Sequence, residues 1–244
     1  MRDNVVCWLV AIAATVWVAC DLAPHASPRR DPRTLIVARA LDAVSLDPGA
    51  AVDSESLEII ELVYEGLVRW RPGTTEIVPS LALAWTVDND GLRWTFSLRR
   101  NVRFHDGSLC DAQAVVASFE RLRRSAALGW REFRDVEEIS QLDDATVQFV
   151  LKRPYAPFLA NLATPAASIV SSRAITAAAG DLSRQPIGTG PFRLSRWAPG
   201  QRIVLTRSSS YWGQSPYVSR LIFEVIADPA QRIVELETGA ADIA

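Results

Sequence analysis

His105, followed directly by Asp106, is the residue whose surroundings could support catalysis. An imidazole beside a carboxylate can act as a general base for a serine nucleophile, which is the chemistry of a hydrolase. The sequence has many serines, but it contains no Gly-x-Ser-x-Gly elbow and no glycine-rich phosphate loop. The second histidine, His25, lies far away in a proline-rich stretch. We therefore predict a structural role for His105, at a strand end beside a turn.

The three cysteines argue against a thiol metal site and against an internal disulfide. Cys7 lies within an apolar amino-terminal run and Cys20 closes that run, which leaves Cys110 alone in the rest of the chain. We predict that Cys110 is a small buried residue. No spacing of acids and histidines suits a metal, and we expect neither a metal nor another cofactor.

The charge balance gives no case for nucleic-acid binding. The sequence has 26 basic and 28 acidic residues, and its formal net charge is −2. Lys152 is the single lysine, and the arginines are scattered along the chain. At 244 residues the chain is long enough to bury a sizeable core in one or two domains.

The amino terminus has the features of an export signal. Residues 5–18 are almost continuously apolar, a run shorter than the roughly 20 residues that span a bilayer. The run ends in Val18-Ala19-Cys20, which resembles a lipoprotein signal with lipid attachment at Cys20. Asp21, the next residue, resembles the signal that keeps bacterial lipoproteins on the inner membrane. These features predict a periplasmic protein, anchored by lipid to the outer side of the cytoplasmic membrane, with residues 21–33 as a tether.

Helices and strands are predicted from periodicity in the first half of the chain. The apolar run 34–38 has strand length, and residues 93–98 alternate so that Trp94, Phe96 and Leu98 share one face. Apolar residues recur at helical spacing in 53–67, with Asp53 or Ser54 as N-cap, and in 111–124, with Asp111 as N-cap. Residues 102–107 are interpreted as a second strand that ends in an Asp-Gly turn, and residues 163–170 resemble a strand of a known protein family.

The sequence pattern in the last third of the chain predicts a hairpin, a strand and a helix. Phe192 and Leu194 share one face of the first hairpin strand, a turn follows at 198–200, and Ile203 and Leu205 repeat the period of two. A strand at 221–226 precedes a helix that Asp228 caps.

Three stretches carry a resemblance to a known family: 102–107 (VRFHDG), 186–192 (PIGTGPF) and 211–213 (YWG). They resemble the extracytoplasmic solute-binding proteins of ABC importers, family 5, which is the oligopeptide, dipeptide and nickel-binding class. The resemblance implies a mixed α/β fold, namely a lobe like that of type II periplasmic binding proteins with an inserted α+β subdomain. It also implies that this chain is an amino-terminal portion from which the second lobe is missing.

The resemblance further implies a division into domains. Residues 1–20 form the signal and lipoprotein peptide, and residues 21–33 form the tether. Residues 34–55 together with 186–244 form a discontinuous lobe, and residues 56–185 form the inserted subdomain.

Five residues are candidate ligand contacts by the same resemblance. The family's first strand runs into a loop at the ligand cleft, and backbone groups at the carboxyl end of a central strand can meet a ligand, which selects Val44, Ser45 and Leu46. A family aromatic from the irregular stretch after the helix at 111–124 often contacts the ligand, and Trp130 and Phe133 are the nearest candidates here, with ordinary packing as the favoured alternative for both.

The implied function is capture of a peptide or similar small solute outside the cytoplasm and its delivery to a membrane permease, by a monomer that catalyses no reaction. Peptides, nickel chelates, sugars, opines and haem all remain open as ligands. One alternative is a scaffold or regulatory protein that keeps the fold and has lost transport. A more distant alternative is an exported hydrolase that uses His105.

Overall fold

The structure, a computed structural model, describes residues 31–124, 128–177 and 181–244. The predicted signal, its lipid-attachment residue Cys20 and most of the tether lie outside these residues. Among the residues that are described, no helix has the length and the apolar character needed to cross a bilayer.

Ten strands and five helices follow one another along the described chain. The first half contains β1 (Thr34–Arg39), α1 (Ser54–Val63), β2 (Val68–Trp70), β3 (Ile77–Pro79), β4 (Ala82–Val87), β5 (Arg93–Leu98) and α2 (Ala112–Arg124). The second half contains β6 (Val136–Asp143), β7 (Thr146–Leu151), α3 (Phe158–Asn161), α4 (Ser172–Ala177), β8 (Phe192–Ala198), β9 (Arg202–Arg207), β10 (Arg220–Val225) and α5 (Pro229–Glu237).

The first sheet joins the beginning of the described chain to its end. Its strand order is β1-β10-β9-β8, and β1 pairs with β10 in parallel, with Val37 opposite Phe223. The predicted hairpin is confirmed as β8 and β9, with Gly200 at φ +69° in its turn. Inward-facing residues of the hairpin, Phe192, Ile203 and Leu205, are buried in the core on this sheet.

The second sheet is antiparallel, in the order β4-β5-β7-β6, and α2 packs against β6 and β7. Its core is rich in phenylalanine, because the alternating residues of β5 and β7 meet the apolar face of α2. Phe119 of α2 lies edge-to-face with Phe149 of β7, with ring centroids 5.0 Å apart. Cys110 is buried beside this core as predicted, and burial raises the pKa of its thiol.

Aspartates begin three of the helices. The Asp53 carboxylate accepts a hydrogen bond from Ser56 N, the Asp111 carboxylate from Ala114 N, and the Asp228 carboxylate from Ala230 N. The sequence predicted Asp111 and Asp228 as caps, and the structure selects Asp53 over the alternative Ser54. Helix α1 ends at Val63, earlier than the predicted residue 67, because Tyr64 has extended backbone angles of φ −116° and ψ 163°.

Two of the predicted strands were wrong. Residues 102–107 form only a bridge between Arg103 and Leu109, because the preceding Asn101 has φ +64° and breaks the extended run. Residues 163–170 contain a short 3-10 helix at Pro165–Ala167, where proline fixes φ near the helical value and has no N–H for a ladder. Strand β6 was missed, because two register shifts disrupt its period of two.

The core of the first sheet includes more of the chain than the sequence predicted. Ile59, Ile60 and Val63 of α1 share the core of Phe192 and Phe223, so α1 belongs with this sheet although the expected boundary lay at residue 55. Ala174 and Leu182 join the same core. The division of the chain into a lobe and an inserted subdomain remains a prediction.

The two sheets are joined where residues 186–192 pass the end of α1. The Gly190 N–H donates to Val63 O at 2.9 Å, and the His105 N–H donates to Gly188 O at 2.9 Å. A Cβ on Gly190 would lie 2.6 Å from Leu62 O and 2.7 Å from the Val63 carbonyl carbon, and a Cβ on Gly188 would lie 2.8 Å from the Tyr64 Cα. Only glycine therefore permits this backbone-to-backbone approach.

We expect Gly190→Ala to destabilise the full chain by about 3 kcal/mol, because fixed backbone atoms rather than a flexible side chain meet the new methyl group. Gly200→Ala is the control. Nothing lies within 4 Å of a Cβ there, so its positive φ alone should cost about 1 kcal/mol. Urea unfolding of the two variants measures the difference, and an equal or smaller cost at Gly190 would contradict the close-approach argument.

Candidate functional site

A loop at the carboxyl end of β1, residues 41–49, is the centre of the candidate site; we call it the edge loop. Ser56, in the first turn of α1, is fully buried behind it. Its hydroxyl oxygen accepts hydrogen bonds from Val44 N at 2.9 Å and from Ser45 N at 3.1 Å. The edge loop is thus held from the side of the core, and its other side faces outward.

Neighbouring segments of the first sheet converge on the edge loop. The Asp42 carboxylate accepts hydrogen bonds from Trp197 Nε1 at 3.0 Å and from Gly200 N at 2.8 Å, both in or beside the turn between β8 and β9. The Leu46 N–H donates to Ser183 O at 2.9 Å. Since β1 and β10 run in parallel, their carboxyl ends lie at this same edge, which is where ligands bind in many α/β folds.

The three predicted loop residues have different environments. Val44 is 70 % exposed and Ser45 is half-buried, whereas the side chain of Leu46 is fully buried in the core of the first sheet. Leu46 therefore supports the loop from within and presents no side chain to a ligand. Within the part of the chain that the structure describes, the carbonyl oxygens of Val44 and Ser45 accept no hydrogen bond.

The two aromatic residues predicted to contact a ligand also differ in their environments. Phe133 is 1 % exposed and lies edge-to-face with Phe119 at 5.3 Å, so it is a core residue and is removed from the candidate contacts. Trp130 is half-buried. It lies near the edge loop, because the N–H of the preceding residue, Gly129, donates to Gly49 O at 3.3 Å.

A buried ion pair, which sequence reasoning missed, ties the edge loop to α2. The Arg121 guanidinium donates to the Asp47 carboxylate, and both side chains are about 10 % exposed. The other Asp47 oxygen accepts from Gly49 N at 3.0 Å. Burial, with the nearby Asp47 charge, raises the pKa of the Tyr64 hydroxyl. In sequence, Arg121 is one of several arginines at the end of α2, and nothing distinguishes it from its exposed neighbours.

His105 lies at the junction between the two sheets, where it contacts the backbone of Gly188 and Gly190. Its Nε2 is 2.9 Å from Gly190 O and donates to it in the neutral tautomer that carries the proton there. Its Nδ1 is buried and has no hydrogen-bond partner among the described residues. Burial lowers the pKa of His105, and the hydrogen bond to Gly190 opposes that shift.

Glu65, two residues beyond the end of α1, is a second acid that the sequence did not reveal, and its side chain is half-buried. Its carboxylate accepts hydrogen bonds from Trp212 Nε1 at 2.7 Å, Thr189 Oγ1 at 2.8 Å and the Tyr211 hydroxyl at 3.0 Å. Burial raises the pKa of Glu65, and these three hydrogen bonds oppose the rise. The aromatic pair that resembled the family is thereby fixed to the end of α1.

The structure brings together the stretches that carried the resemblance, and comparison with known proteins agrees. The sequence profile of the bacterial extracellular solute-binding proteins, family 5 middle region, matches residues 76–244. The chain belongs to this family. It is 34 % identical to the probable D,D-dipeptide-binding periplasmic protein of Escherichia coli (strain K12), over 90 % of this chain and 44 % of that protein.

Solved structures of family members have the same fold. The DppA periplasmic binding protein of Helicobacter pylori, in complex with the peptide STSA, has a TM-score of 0.79 at 34 % identity, covering 85 % of this chain and 45 % of that one. NikA of Brucella suis, in complex with Fe(III)-EDTA, has a TM-score of 0.78 at 29 % identity, covering 86 % and 43 %. The chain spans less than half the length of these relatives.

We expect Ser56→Ala to loosen the edge loop, because the N–H groups of Val44 and Ser45 lose their common acceptor. The cost should be about 1–3 kcal/mol of unfolding free energy. Ser54→Ala, in the same helix turn but exposed, is the matched control. Hydrogen exchange of the Val44 and Ser45 amides should accelerate in the first variant only, and unchanged exchange would contradict the assigned hydrogen bonds.

The lowered pKa of His105 should make the fold less stable in mild acid. The unfolded chain takes up a proton near the ordinary value of 6.5 while the folded chain does not, so stability falls as pH decreases from 6.5 toward the folded pKa. His105→Gln keeps a donor for Gly190 O and removes this titration. Chemical unfolding between about pH 7 and pH 5 should show a smaller loss in the variant than in the wild type.

The wild type must be compared with His105→Gln because Glu65 changes the folding stability with pH in the opposite direction to His105. Its raised pKa adds stability as pH falls, and it is present in both proteins. The difference between the two pH profiles therefore reports His105 alone. Parallel profiles would contradict the buried neutral state of the imidazole.

Proposed function

We propose that this chain is the solute-binding part of an ABC importer, which captures a peptide or similar small solute outside the cytoplasm and delivers it to a membrane permease. The observation that carries the proposal is the family match over residues 76–244. The relatives' names support peptides as the ligand class, since one is a probable D,D-dipeptide-binding protein and another is solved with a bound peptide.

In this proposal, the solute lies against the outward side of the edge loop. The carbonyl oxygens of Val44 and Ser45 accept hydrogen bonds from the ligand, and Trp130 supplies an apolar surface beside them. Main-chain hydrogen bonds of this kind hold an extended peptide with little regard to its side chains. The buried contacts of Ser56 and Asp47 keep the acceptors in place before the ligand arrives, which lowers the entropy lost on binding.

The proposed lobe comprises residues 34–64 and 170–244, with residues 67–169 as the inserted subdomain. These boundaries follow the two apolar cores of the structure rather than the boundaries at 55 and 186 expected from the sequence. A ligand held at the edge loop is buried when a second lobe closes over it by a hinge motion.

The proposed location is the periplasm, with lipid attached to Cys20 on the outer side of the cytoplasmic membrane. The name of the relative from Escherichia coli, a periplasmic protein, supports the compartment. The apolar run 5–18, which ends in small residues before the cysteine, supports the lipid.

We further propose that the chain catalyses no reaction. Family members act in solute binding, and the hydrolase alternative depends on His105. Its Nε2 is engaged by the Gly190 carbonyl and is therefore unavailable as a base for a serine hydroxyl.

Isothermal titration of the full chain with an equimolar pool of dipeptides and tripeptides tests the binding function. Heat of binding is expected for the wild type, and Trp130→Ala should weaken the apparent affinity at least tenfold, since truncating a buried aromatic contact costs roughly 2 kcal/mol or more. Trp70→Ala, which truncates an exposed tryptophan in β2, is the control and should bind like the wild type. Absence of binding by the wild type would overturn the proposal.

A further inference from the structure

Strand β4 lies at one end of the second sheet and pairs on one side only, with β5. At its start the Ala82 N–H donates to Leu67 O at 2.9 Å. Beyond Ala82, no strand or bridge pairs with the outer edge of β4 in the part of the chain that the structure describes. An unpaired row of backbone N–H and C=O groups is a template for another strand.

The register of β4 shows which backbone groups face outward. Just past the strand, the Asp88 N–H donates to Arg93 O at 3.1 Å. Hydrogen bonds of an antiparallel pair fall on alternate residues, so Thr86, two residues earlier, also bonds to β5. The backbone groups of Trp85 and Val87 therefore point away from the sheet.

The outer edge of β4 lacks the features that keep a strand edge from pairing, which are charges and bulges. The strand at the opposite end of the same sheet, β6, carries Glu137, Glu138 and Asp143 and has two register shifts. Strand β4 has no charged residue and one register shift, at its start. Two of its apolar side chains are open to solvent, since Leu83 is 51 % exposed and Val87 is 41 % exposed.

The apolar core of the second sheet is incompletely covered beside this edge. Trp85 packs on the core, with its ring centroid 6.3 Å from that of Phe96, and it remains half-buried. Val87 lies on the same face, opposite Trp94. Helix α2 covers β6 and β7, at the other end of the sheet. A strand added beside β4 would remove apolar surface of Trp85 and Val87 from water, which favours pairing beyond the backbone hydrogen bonds.

We propose that β4 pairs with β4 of a second copy of this chain, antiparallel about a two-fold axis. A two-fold dimer uses the same surface on both copies, so the surface must be complementary to itself. The outer edge of β4 meets this condition, because its backbone offers both donors and acceptors and its uncharged side chains bring no like charges together. Asp88, just beyond the strand, already pairs with Arg93 at 3.3 Å. The dimer departs from the monomer that the resemblance implied, and it does not depend on solute binding.

Sedimentation velocity of the full chain over about a hundredfold range of protein concentration tests the dimer. The sedimentation coefficient should rise with concentration toward the value of a dimer. Hydrogen exchange in the same samples locates the contact. The Trp85 and Val87 amides should exchange more slowly at high concentration, whereas the Thr86 amide, which already bonds to β5, should change far less.

The matched variants are Leu83→Lys and Leu142→Lys, which place a lysine in the two edge strands of one sheet. Leu142, in β6, is 55 % exposed and Leu83 is 51 % exposed, so both variants should fold, which circular dichroism checks. Leu83→Lys brings two like charges together across the two-fold axis and should weaken dimerisation at least about tenfold. Val87→Lys, at the other end of the free edge, should have the same effect. Leu142→Lys should dimerise like the wild type.

The outcomes decide whether this edge is the dimer surface. A sedimentation coefficient that stays constant with concentration would overturn the dimer. Wild-type association by the Leu83 and Val87 variants, an equal loss in Leu142→Lys, or unchanged exchange at Trp85 and Val87 would place the association elsewhere and reject this edge. Solute binding is tested separately by the peptide titration, so either proposal can fail while the other stands.

Discussion

The close passage of residues 186–192 over the end of α1 is the contact on which the rest of the structure depends. Two glycines let the backbone approach the carbonyls of Leu62 and Val63, and the same segment meets His105 of the other core. Each sheet has its own apolar core, and this passage joins the two cores, together with the Arg121–Asp47 ion pair between α2 and the edge loop. Glu65 strengthens the junction by binding Thr189, Tyr211 and Trp212 from the end of the same helix.

Much of the fold was predictable, because local patterns specify it. The caps Asp53, Asp111 and Asp228 and the alternation of β5 and β8 each reflect interactions within a few residues. Strand β6 escaped prediction, because its bulges remove the period of two. The early end of α1 depends on tertiary packing, which no short window of sequence contains.

The candidate site was less predictable than the fold. The resemblance selected the edge loop and Trp130 as candidates, but it could not distinguish exposed Val44 from buried Leu46, since both are apolar residues in one loop. Phe133 lies only three residues from Trp130, and yet it fills the phenylalanine core. The contacts that hold the site, Ser56 to the loop amides and Arg121 to Asp47, join residues distant in sequence and carry no motif.

The parallel pairing of β1 with β10 has a consequence for how the chain acquires its structure. These strands are neighbours in the sheet but lie near opposite ends of the described sequence. Contacts of such high sequence separation form late, because a long loop must be closed first, whereas the second sheet is built from strands near one another along the chain. Until β10 is available, the edge of β1 that pairs with it stays unpaired, and an unpaired strand edge is a site at which partly folded chains aggregate.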